Sequence, residues 1–266
     1  GYALVKQLAR GKSDYSLRMS GLGKPMCQQW HDKNESPKET QYNSIMRFLF
    51  GDIIEAIAMV VLKSANVNIE SEQERVNLDL DVCELNGTLD VVIDGKVWDI
   101  KSASPYAFSK KFGGEFGGYN KVKQDDTFGY LMQGYLYSKA KNMDFGGWIV
   151  VDKASGEWAV CEAPDYQEED SVEQLAKAKS NAKTMLQDKP LKKEFKDKEE
   201  TFRVQHGKRK GEIIATGNRV MHTVCGYCDY KAQCWPTAQL HKKVGTQATQ
   251  RPLVWYTKLK KREIEV

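Results

Sequence analysis

The chain of 266 residues lacks any run of about 18 apolar residues, the minimum for a membrane-spanning helix. It also lacks the charged, apolar and small-residue regions of a secretory signal peptide. We therefore expect a cytoplasmic protein with no membrane partner. Cysteines are few, and three of the six lie within residues 225–234, too close for independent disulfides. Metal ligation is the better interpretation of that cluster.

Net charge is unevenly distributed along the chain. Residues 1–188 contain 22 Lys and Arg against 28 Asp and Glu, a balance of −6, whereas residues 189–266 contain 18 against 8, a balance of +10. A basic C-terminal third on an acidic body indicates either a region that binds a polyanion or a solvated basic tail. The end of the chain, His241 to Val266, also holds Trp255 and Tyr256, and aromatics among basic residues suit contact with nucleic acid.

A β-hairpin is predicted around Asp94-Gly95, because this dipeptide between two β-forming runs is the strongest short-range signal for a type I′ turn. The turn sets a register in which Asp90 stands directly opposite Asp99. Side chains alternate across a strand, so Asp90, Asp99 and Lys101 are expected on one face. The opposite, apolar face is expected to hold Leu89, Val91, Trp98 and Ile100.

The acidic pair of the hairpin suggests a metal site. Like charges placed directly opposite each other are destabilising, so two carboxylates beside a lysine suggest a divalent cation between them. The alternative is a solvated outer face, where acids and lysines are common. A helix predicted from about Glu39 to Lys63 offers a third carboxylate, Glu55, on an apolar side. Glu55 is either a metal ligand or the buried partner of an Arg or Lys.

The rest of the chain predicts further elements around the hairpin. Strands are expected within residues 66–85, at Phe145–Asp152 and at Glu157–Glu162, and helices at Asp126–Lys141 and from about Asp165 to Gln187. Gln133 and Tyr137 fall four residues apart on one face of the first of these helices. The expected fold class is α/β, a mixed sheet flanked by helices.

Two lysine-rich loops are candidate DNA contacts. One follows the second hairpin strand and combines Lys110 and Lys111 with glycines and aromatics, without the Gly-Lys-Ser/Thr of a phosphate-binding loop. It either closes over single-stranded nucleic acid or is a mobile surface loop. The other places Lys208, Arg209 and Lys210 between two glycines.

These motifs resemble the PD-(D/E)XK nuclease superfamily, in which an acid on one strand is followed by acid-x-Lys on the next. Asp90 matches the first acid, and Asp99-Ile100-Lys101 matches the second motif. Gly51-x-x-x-Glu55 and Gln133-x-x-x-Tyr137 are similar to helical elements of the lambda-exonuclease and RecB-like branches. The resemblance implies a restriction-endonuclease-like fold that binds Mg²⁺ or Mn²⁺ through Glu55, Asp90, Asp99 and the carbonyl of Ile100. It also implies that Lys101, Gln133 and Tyr137 serve catalysis.

The cysteine cluster has the spacing C-x2-C-x5-C, formed by Cys225, Cys228 and Cys234. Four thiolates make either a tetrahedral zinc site or an iron–sulfur cluster. Cys83 and Cys161 fall in or beside the predicted sheet and are expected to be core residues.

Cys27 is therefore the natural fourth ligand. One N-terminal cysteine with a C-terminal cluster of three resembles the 4Fe–4S cluster that pins the chain ends in CRISPR-associated RecB-like exonucleases and AddB-type helicase–nucleases. Zinc is the alternative, and His222 or His31 would then replace one thiolate.

Taken together, the sequence predicts three segments: residues 1–38 supplying one cluster cysteine, residues 39–188 forming the nuclease core, and residues 189–266 forming a basic cluster subdomain and tail. The expected function is a metal-dependent exonuclease acting on single-stranded DNA or DNA ends. A structure-specific or sequence-specific endonuclease is one alternative, and a non-catalytic, zinc-stabilised DNA-binding module is another. The pattern also resembles exonuclease-type proteins encoded by tailed bacteriophages, which would place it in the host cytoplasm.

Overall fold

The structure is a computed structural model that describes residues 15–35, 42–187, 189–191, 193–246 and 248–263. The chain divides into two compact units between Lys189 and Pro190. Each unit has its own β-sheet. The three predicted segments stay a prediction. Within the described residues, no helix combines the length and the apolar character needed to cross a membrane.

The first unit contains a five-stranded sheet in the order β1-β2-β3-β4-β5. The strands are β1 (Ile69–Asp79), β2 (Glu84–Ile93), β3 (Lys96–Ala103), β4 (Asp144–Asp152) and β5 (Trp158–Glu162). Neighbouring strands are antiparallel except β3 and β4, which are parallel and need a crossover connection. The sheet is therefore mixed, as predicted.

Helices of the first unit flank this sheet. They are α1 (Met19–Leu22), α2 (Met26–Asn34), α3 (Tyr42–Ser64), α4 (Pro105–Ala107), α5 (Tyr119–Gln124), α6 (Tyr130–Lys141) and α7 (Glu168–Leu186), with a π-helical turn at Phe108–Phe112. The α4 to α6 segment forms the crossover between β3 and β4. The predicted α/β class with flanking helices is confirmed.

The β2–β3 hairpin forms in the predicted register. Its backbone pairs are Val91 with Trp98, Val92 with Val97, and Ile93 with Lys96. Asp94 and Gly95 both have positive φ, 47° and 71°, as a type I′ turn requires. The ladder ends at the Val91–Trp98 pair, so Asp90 and Asp99, predicted to stand directly opposite each other, are the next residues beyond it rather than a backbone pair of the ladder.

Both faces of the sheet are covered. On one face Ala58 and Met59 of α3 pack against a cluster that contains Val91, Ile93, Ile100 and Ile149, with Trp98 partly buried beside it. On the other face α6 and α7 pack against Val92 and Val97. Leu89 was expected beside Val91 but belongs to this second cluster. The alternation of β2 is therefore interrupted between Leu89 and Val91, just where its ladder with β3 ends.

Helix α3 confirms the predicted helix over its described part but corrects the predicted burial. Met59 is buried and Leu62 packs beside it, whereas Phe48, on the same row as Glu55, is 57% exposed. The helix rests on the sheet through its C-terminal half, so its apolar stripe is wider than the contact. Other large apolar side chains of α3 that remain exposed are Phe50, Ile53, Ile57, Val60 and Val61.

The N-terminal segment is joined to α6 by a close backbone approach. A Cβ on Gly23 would lie 2.5 Å from the Gly129 Cα, and a Cβ on Gly129 would lie 2.4 Å from the Gly23 Cα. Gln29, which is 2% exposed, donates from its amide to the carbonyls of Leu22 and Lys24 at 3.1 and 2.8 Å. These contacts hold the α1–α2 turn, next to Cys27, against the start of the helix that carries Gln133.

The second unit contains a four-stranded antiparallel sheet in the order β6-β7-β9-β8. Its elements are β6 (Lys198–Arg203), β7 (Ile213–Val220), α8 (Thr223–Tyr227), α9 (Lys231–Cys234), β8 (Gln239–Lys242) and β9 (Leu253–Lys258). The two short helices between β7 and β8 hold the cysteine cluster.

A buried carboxylate, Glu200, ties the second sheet together. It accepts hydrogen bonds from the Tyr256 hydroxyl at 2.5 Å, the Gly245 N–H at 2.7 Å, the Thr216 hydroxyl at 2.9 Å and the Asn218 amide at 3.1 Å. Burial opposes its charge, but these donors hold the pKa of Glu200 below its usual value. The carboxylate is therefore charged and fully satisfied, which is a structural role.

Two mid-helix glycines should respond oppositely to alanine. A Cβ on Gly134 in α6 would lie 2.4 Å from the Phe145 ring, so we expect Gly134→Ala to destabilise the protein by about 1–3 kcal/mol. Gly51 in α3 has no described atom within 4 Å of its Cβ position, so Gly51→Ala should stabilise by about 0.5–1 kcal/mol. Urea unfolding midpoints measure both changes in stability. A Gly134→Ala variant as stable as the wild type would contradict the packing described for α6.

Candidate active site and cysteine cluster

The two hairpin acids are joined through the backbone of β3. The Ile100 N–H donates to Asp90 Oδ2 at 2.7 Å. This bond places the Asp90 carboxylate beside the backbone of β3, one residue from Asp99.

Asp99 is a buried carboxylate, 2% exposed, which rules out the solvated face considered above. The Lys101 Nζ lies 2.9 Å from its Oδ1 and 2.8 Å from its Oδ2. Only the Oδ1 contact has hydrogen-bond geometry, so Oδ2 has no hydrogen-bond partner within the described part of the chain. The Lys101 ammonium, 2.8 Å away, offsets the charge of Oδ2, and this buried oxygen can still accept a further ligand.

Gln133 of α6 clamps this ion pair. Its Nε2 donates to Asp99 Oδ1 at 3.0 Å, and its Oε1 accepts from Lys101 Nζ at 3.3 Å. Tyr137, one turn later, is 3% exposed, and burial together with the Asp99 and Asp90 charges raises its pKa to about 12. The predicted Gln-x-x-x-Tyr pair therefore faces the site, with Gln133 bonded to the protein's own charged groups.

The pKa shifts of the site follow from burial and mutual repulsion. Burial, followed by the charge of Asp99, raises the pKa of Asp90 well above its usual value, with a smaller contribution from Glu55. Burial also raises the pKa of Asp99, although Lys101 opposes the shift. For Lys101, burial opposes the charge, but Asp99 and Asp90 raise its pKa above the usual value. Lys101 is therefore protonated near neutral pH and acts as a donor rather than a base.

The charge of Glu55 on α3 acts on the acidic pair. The Gln73 amide donates a hydrogen bond to Glu55 Oε1, and the Glu55 charge contributes to the raised pKa of Asp90. Among the residues that the structure describes, no three His, Cys, Asp or Glu side chains converge closely enough to hold a metal ion. The structure thus brings Asp90, Asp99 and Lys101 together, with Glu55 near enough for its charge to act on Asp90.

Two residues near the site, Tyr130 and Asp126, were not identified as functional neighbours from the sequence. The Tyr130 ring lies with its centroid 5.2 Å from Lys101 Nζ. Asp126, whose pKa burial raises, accepts from the N–H groups of Tyr130 and Leu131 at 2.7 and 2.9 Å. The helix was predicted to begin at Asp126, but it begins at Tyr130, because the Asp126 carboxylate caps its first N–H groups. An acidic residue before an apolar helical run is a start signal that places such a cap.

The predicted loop lysines border this site. Lys111 Nζ lies 5.4 Å from the Tyr130 ring centroid and 5.8 Å from that of Phe128, and burial lowers its pKa. Lys110 Nζ lies 4.1 Å from the centroid of the exposed Phe116 ring. Cations and aromatic faces therefore alternate from Lys101 outward to the surface.

The cysteines of the cluster lie close enough to affect one another. Burial raises the pKa of Cys225 and of Cys228, and the charge of Cys234 adds to both shifts. The indole N–H of Trp235, which is buried, has no hydrogen-bond partner with good geometry within the described residues, although it lies near enough to Cys225 to favour its thiolate. A thiolate-bound metal would use such a donor.

The other cysteines and the two candidate histidines occupy different environments. Cys161 is buried, and burial raises its pKa to about 12, which fits the predicted core role. Cys27 lies in α2 of the first unit. His222 accepts from the Val224 N–H at 3.4 Å and stacks on Phe195 with centroids 4.6 Å apart, and His31 pairs with Glu35.

No family model and no curated protein matches the chain. Among solved structures it is similar to the protein SSO0001, with 15% identity and a TM-score of 0.43 over 71% of this chain and 84% of that chain. It is also similar to a protein of Eubacterium rectale named "Putative exonuclease", with 16% identity and a TM-score of 0.35 over 70% and 72% of the two chains. At these values neither similarity carries functional weight.

The raised pKa of Asp90 makes stability depend on pH. A carboxyl group whose pKa is higher in the folded protein favours folding at low pH, and that contribution is lost as pH rises above about 4 through the raised pKa. We therefore expect Asp90→Asn, in EDTA at pH 7, to be more stable than the wild type by about 1 kcal/mol. The gain should shrink toward about pH 4, in urea unfolding measured across this range.

Asp165→Asn serves as the control, because its side chain is fully exposed and its contact with Lys96 is long, 3.5 Å. This variant should stay within about 0.5 kcal/mol of the wild type at every pH. Loss of stability in Asp90→Asn at pH 7 would mean that the Asp90 charge is already compensated in the metal-free fold.

Proposed function

We propose that the chain is a divalent-metal-dependent deoxyribonuclease of the PD-(D/E)XK type, RecB-like branch, that hydrolyses phosphodiester bonds beside the β2–β3 hairpin. The observation that carries this proposal is the group formed by the buried Asp99 with the half-buried Asp90 and Lys101, in which one oxygen of Asp99 accepts no hydrogen bond from the described residues. Buried charges of like sign are expensive, and such perturbed groups cluster at functional sites. In the DNA-binding alternative the hairpin acids have no function, and they would then be expected to be exposed to water.

Oxygen donors of this kind suit Mg²⁺ or Mn²⁺. The Asp99 Oδ2, the Asp90 carboxylate and the Ile100 carbonyl would hold the ion, and Glu55 would supply the third carboxylate from α3. When bound, the ion supplies Lewis-acid stabilisation of the scissile phosphate and lowers the pKa of a water.

The chain's own residues have separate tasks in this proposal. Lys101, held protonated by the two acids, donates to the negative charge that develops on the phosphate. Gln133 fixes the relative positions of Lys101 and Asp99, because it bonds to both. Tyr137 packs beneath this clamp and keeps water from the buried side.

The substrate is best matched by single-stranded DNA or DNA ends, which favours an exonuclease. The supporting feature is the surface next to Lys101, where Lys110 and Lys111 lie over aromatic rings. Cations with aromatic faces bind a strand through phosphates and unstacked bases. An endonuclease using the same acids is the second candidate within this class. The phage-like pattern implies a role in degrading DNA in a bacterial host. We include this role and a cytoplasmic location in the proposal.

We also propose a 4Fe–4S cluster bound by Cys27, Cys225, Cys228 and Cys234, with zinc as the alternative. Three of the thiols lie in one short segment, influence one another's pKa, and have the buried Trp235 N–H beside them. Donors to the sulfur atoms tune both kinds of thiolate site. The cluster would be structural.

The catalytic proposal is tested on end-labelled linear single-stranded and double-stranded DNA and on a closed circle, with Mn²⁺, Mg²⁺ or EDTA. We expect metal-dependent loss of linear DNA with the circle spared, and a decrease of about 100-fold or more in Lys101→Ala. Glu55→Gln, which leaves the buried ion pair intact, should also lose most activity.

Lys96→Ala is the matched control, because Lys96 lies on the same strand and makes only an exposed, 3.5 Å contact with Asp165. It should cleave at the wild-type rate. Circular dichroism confirms folding of each variant, since removing one partner of a buried pair also destabilises. Full activity in folded Lys101→Ala refutes the assignment, and cutting of the circle selects the endonuclease.

The cluster proposal predicts a brown protein after anaerobic purification, with broad absorbance near roughly 400 nm from iron–sulfur thiolate bonds. Cys228→Ser should lose the colour and the iron. Cys161→Ala should retain both, because Cys161 is buried among apolar side chains of the first unit. A colourless wild type containing one zinc per chain would replace the iron–sulfur proposal by the zinc alternative.

A further inference from the structure

The second unit contains a groove that the proposed reaction does not use. Its volume is about 780 Å³, and it lies between the loop that joins β6 to β7 and the end of the chain. Apolar side chains of the two strands, Phe202 and Ile214, line part of it. The remaining lining comes from the basic loop after Val204 and from residues 261–263.

Positive charge is in excess around this groove. Lys208, Lys261 and Arg262 line it, and within the described residues none of them forms an ion pair. Arg209 also lines it and contacts Glu212 through Nε at 2.8 Å, which leaves other N–H donors of its guanidinium for a ligand. Glu263 is the one acidic lining residue. The groove therefore favours an anion with several charges.

A buried asparagine holds the chain end beside the strands. Asn218 Oδ1 accepts from the N–H groups of Lys260 and Lys261, both at 2.8 Å, and its Nδ2 donates to the Lys261 carbonyl at 2.9 Å. Asn218 is fully buried and is itself bonded to Glu200. This anchor makes Lys261 and Arg262 part of a preformed lining rather than a loose tail, which lowers the entropy cost of binding.

We propose that this groove binds the phosphodiester backbone of a single nucleic-acid strand, as an accessory site separate from the β2–β3 hairpin. A single strand offers phosphates to the cations and an apolar base surface to the partly exposed Ile214, and its width suits a concave site that a lipid surface does not enter. The identity of the polyanion rests on the proposed nuclease function. The accessory site would retain a strand between successive cleavages.

The test measures binding of a fluorescent single-stranded oligonucleotide to the full chain by anisotropy, in EDTA so that no cleavage occurs. The groove variant combines Lys208→Ala, Lys261→Ala and Arg262→Ala. The matched variant combines Lys198→Ala, Lys242→Ala and Lys258→Ala, three exposed lysines of the same unit that do not line the groove. Both lose the same charge, so only position differs.

Each phosphate contact on a single strand contributes roughly 0.7 to the slope of log K against log salt concentration. We expect the groove variant to lower that slope by about 2 and to weaken binding at least tenfold at low salt, with much smaller changes in the matched variant. Equal effects in both variants would show a diffuse charge effect and overturn the proposal. Unchanged binding in the groove variant would also overturn it, as would groove-dependent binding to phosphatidylserine vesicles without groove-dependent binding to the oligonucleotide.

The two proposals fail separately. Binding is measured in EDTA, where no cleavage occurs, so the anisotropy result does not depend on the outcome of the cleavage assay. Groove-dependent binding without cleavage under any metal would refute the nuclease and leave the accessory site standing. Metal-dependent cleavage together with unaltered binding in the groove variant would refute the accessory site and leave the nuclease proposal standing.

Discussion

The burial of the Asp99 carboxylate under α6 is the constraint on which the first unit depends. A carboxylate that is 2% exposed needs a cation and hydrogen-bond donors, and two elements, β3 and α6, supply them. Lys101 comes from the same strand, Gln133 from the covering helix, and the Ile100 N–H serves the neighbouring Asp90. The Asp126 cap and the Gly23–Gly129 contact set where that helix begins, and thus where Gln133 stands.

Buried acids of the two units have pKa values shifted in opposite directions. Glu200 receives four donors, and its pKa falls although it is only 3% exposed. Asp90 and Asp99 face each other, receive fewer donors, and their pKa values rise. The first arrangement satisfies a charge and holds a sheet together, whereas the second leaves an electrostatic need that a divalent cation fits. This contrast supports reading one acid as structural and the other two as functional.

Several elements were predictable because their signals are local. The Asp94-Gly95 turn fixed the register of β2 and β3, since both positions adopt positive φ. The helical spacing that contains Gln133 and Tyr137 placed both residues on α6, facing the hairpin. Errors arose where a neighbour in space decides. Leu89 lies on the other face because the alternation of β2 is interrupted where its ladder with β3 ends, and Phe48 stayed exposed because α3 contacts the sheet over only part of its length.

The sequence by itself determined which strands form the hairpin, how its first three pairs align, and which three cysteines share one segment, because turn geometry and residue spacing act over a few residues. Tertiary structure alone decided that Asp99 is buried, that Gln133 bonds to Asp99 and Lys101, and that Lys261 and Arg262 line a groove with Lys208. Each of these depends on contacts between residues more than thirty positions apart, whose packing no local pattern encodes.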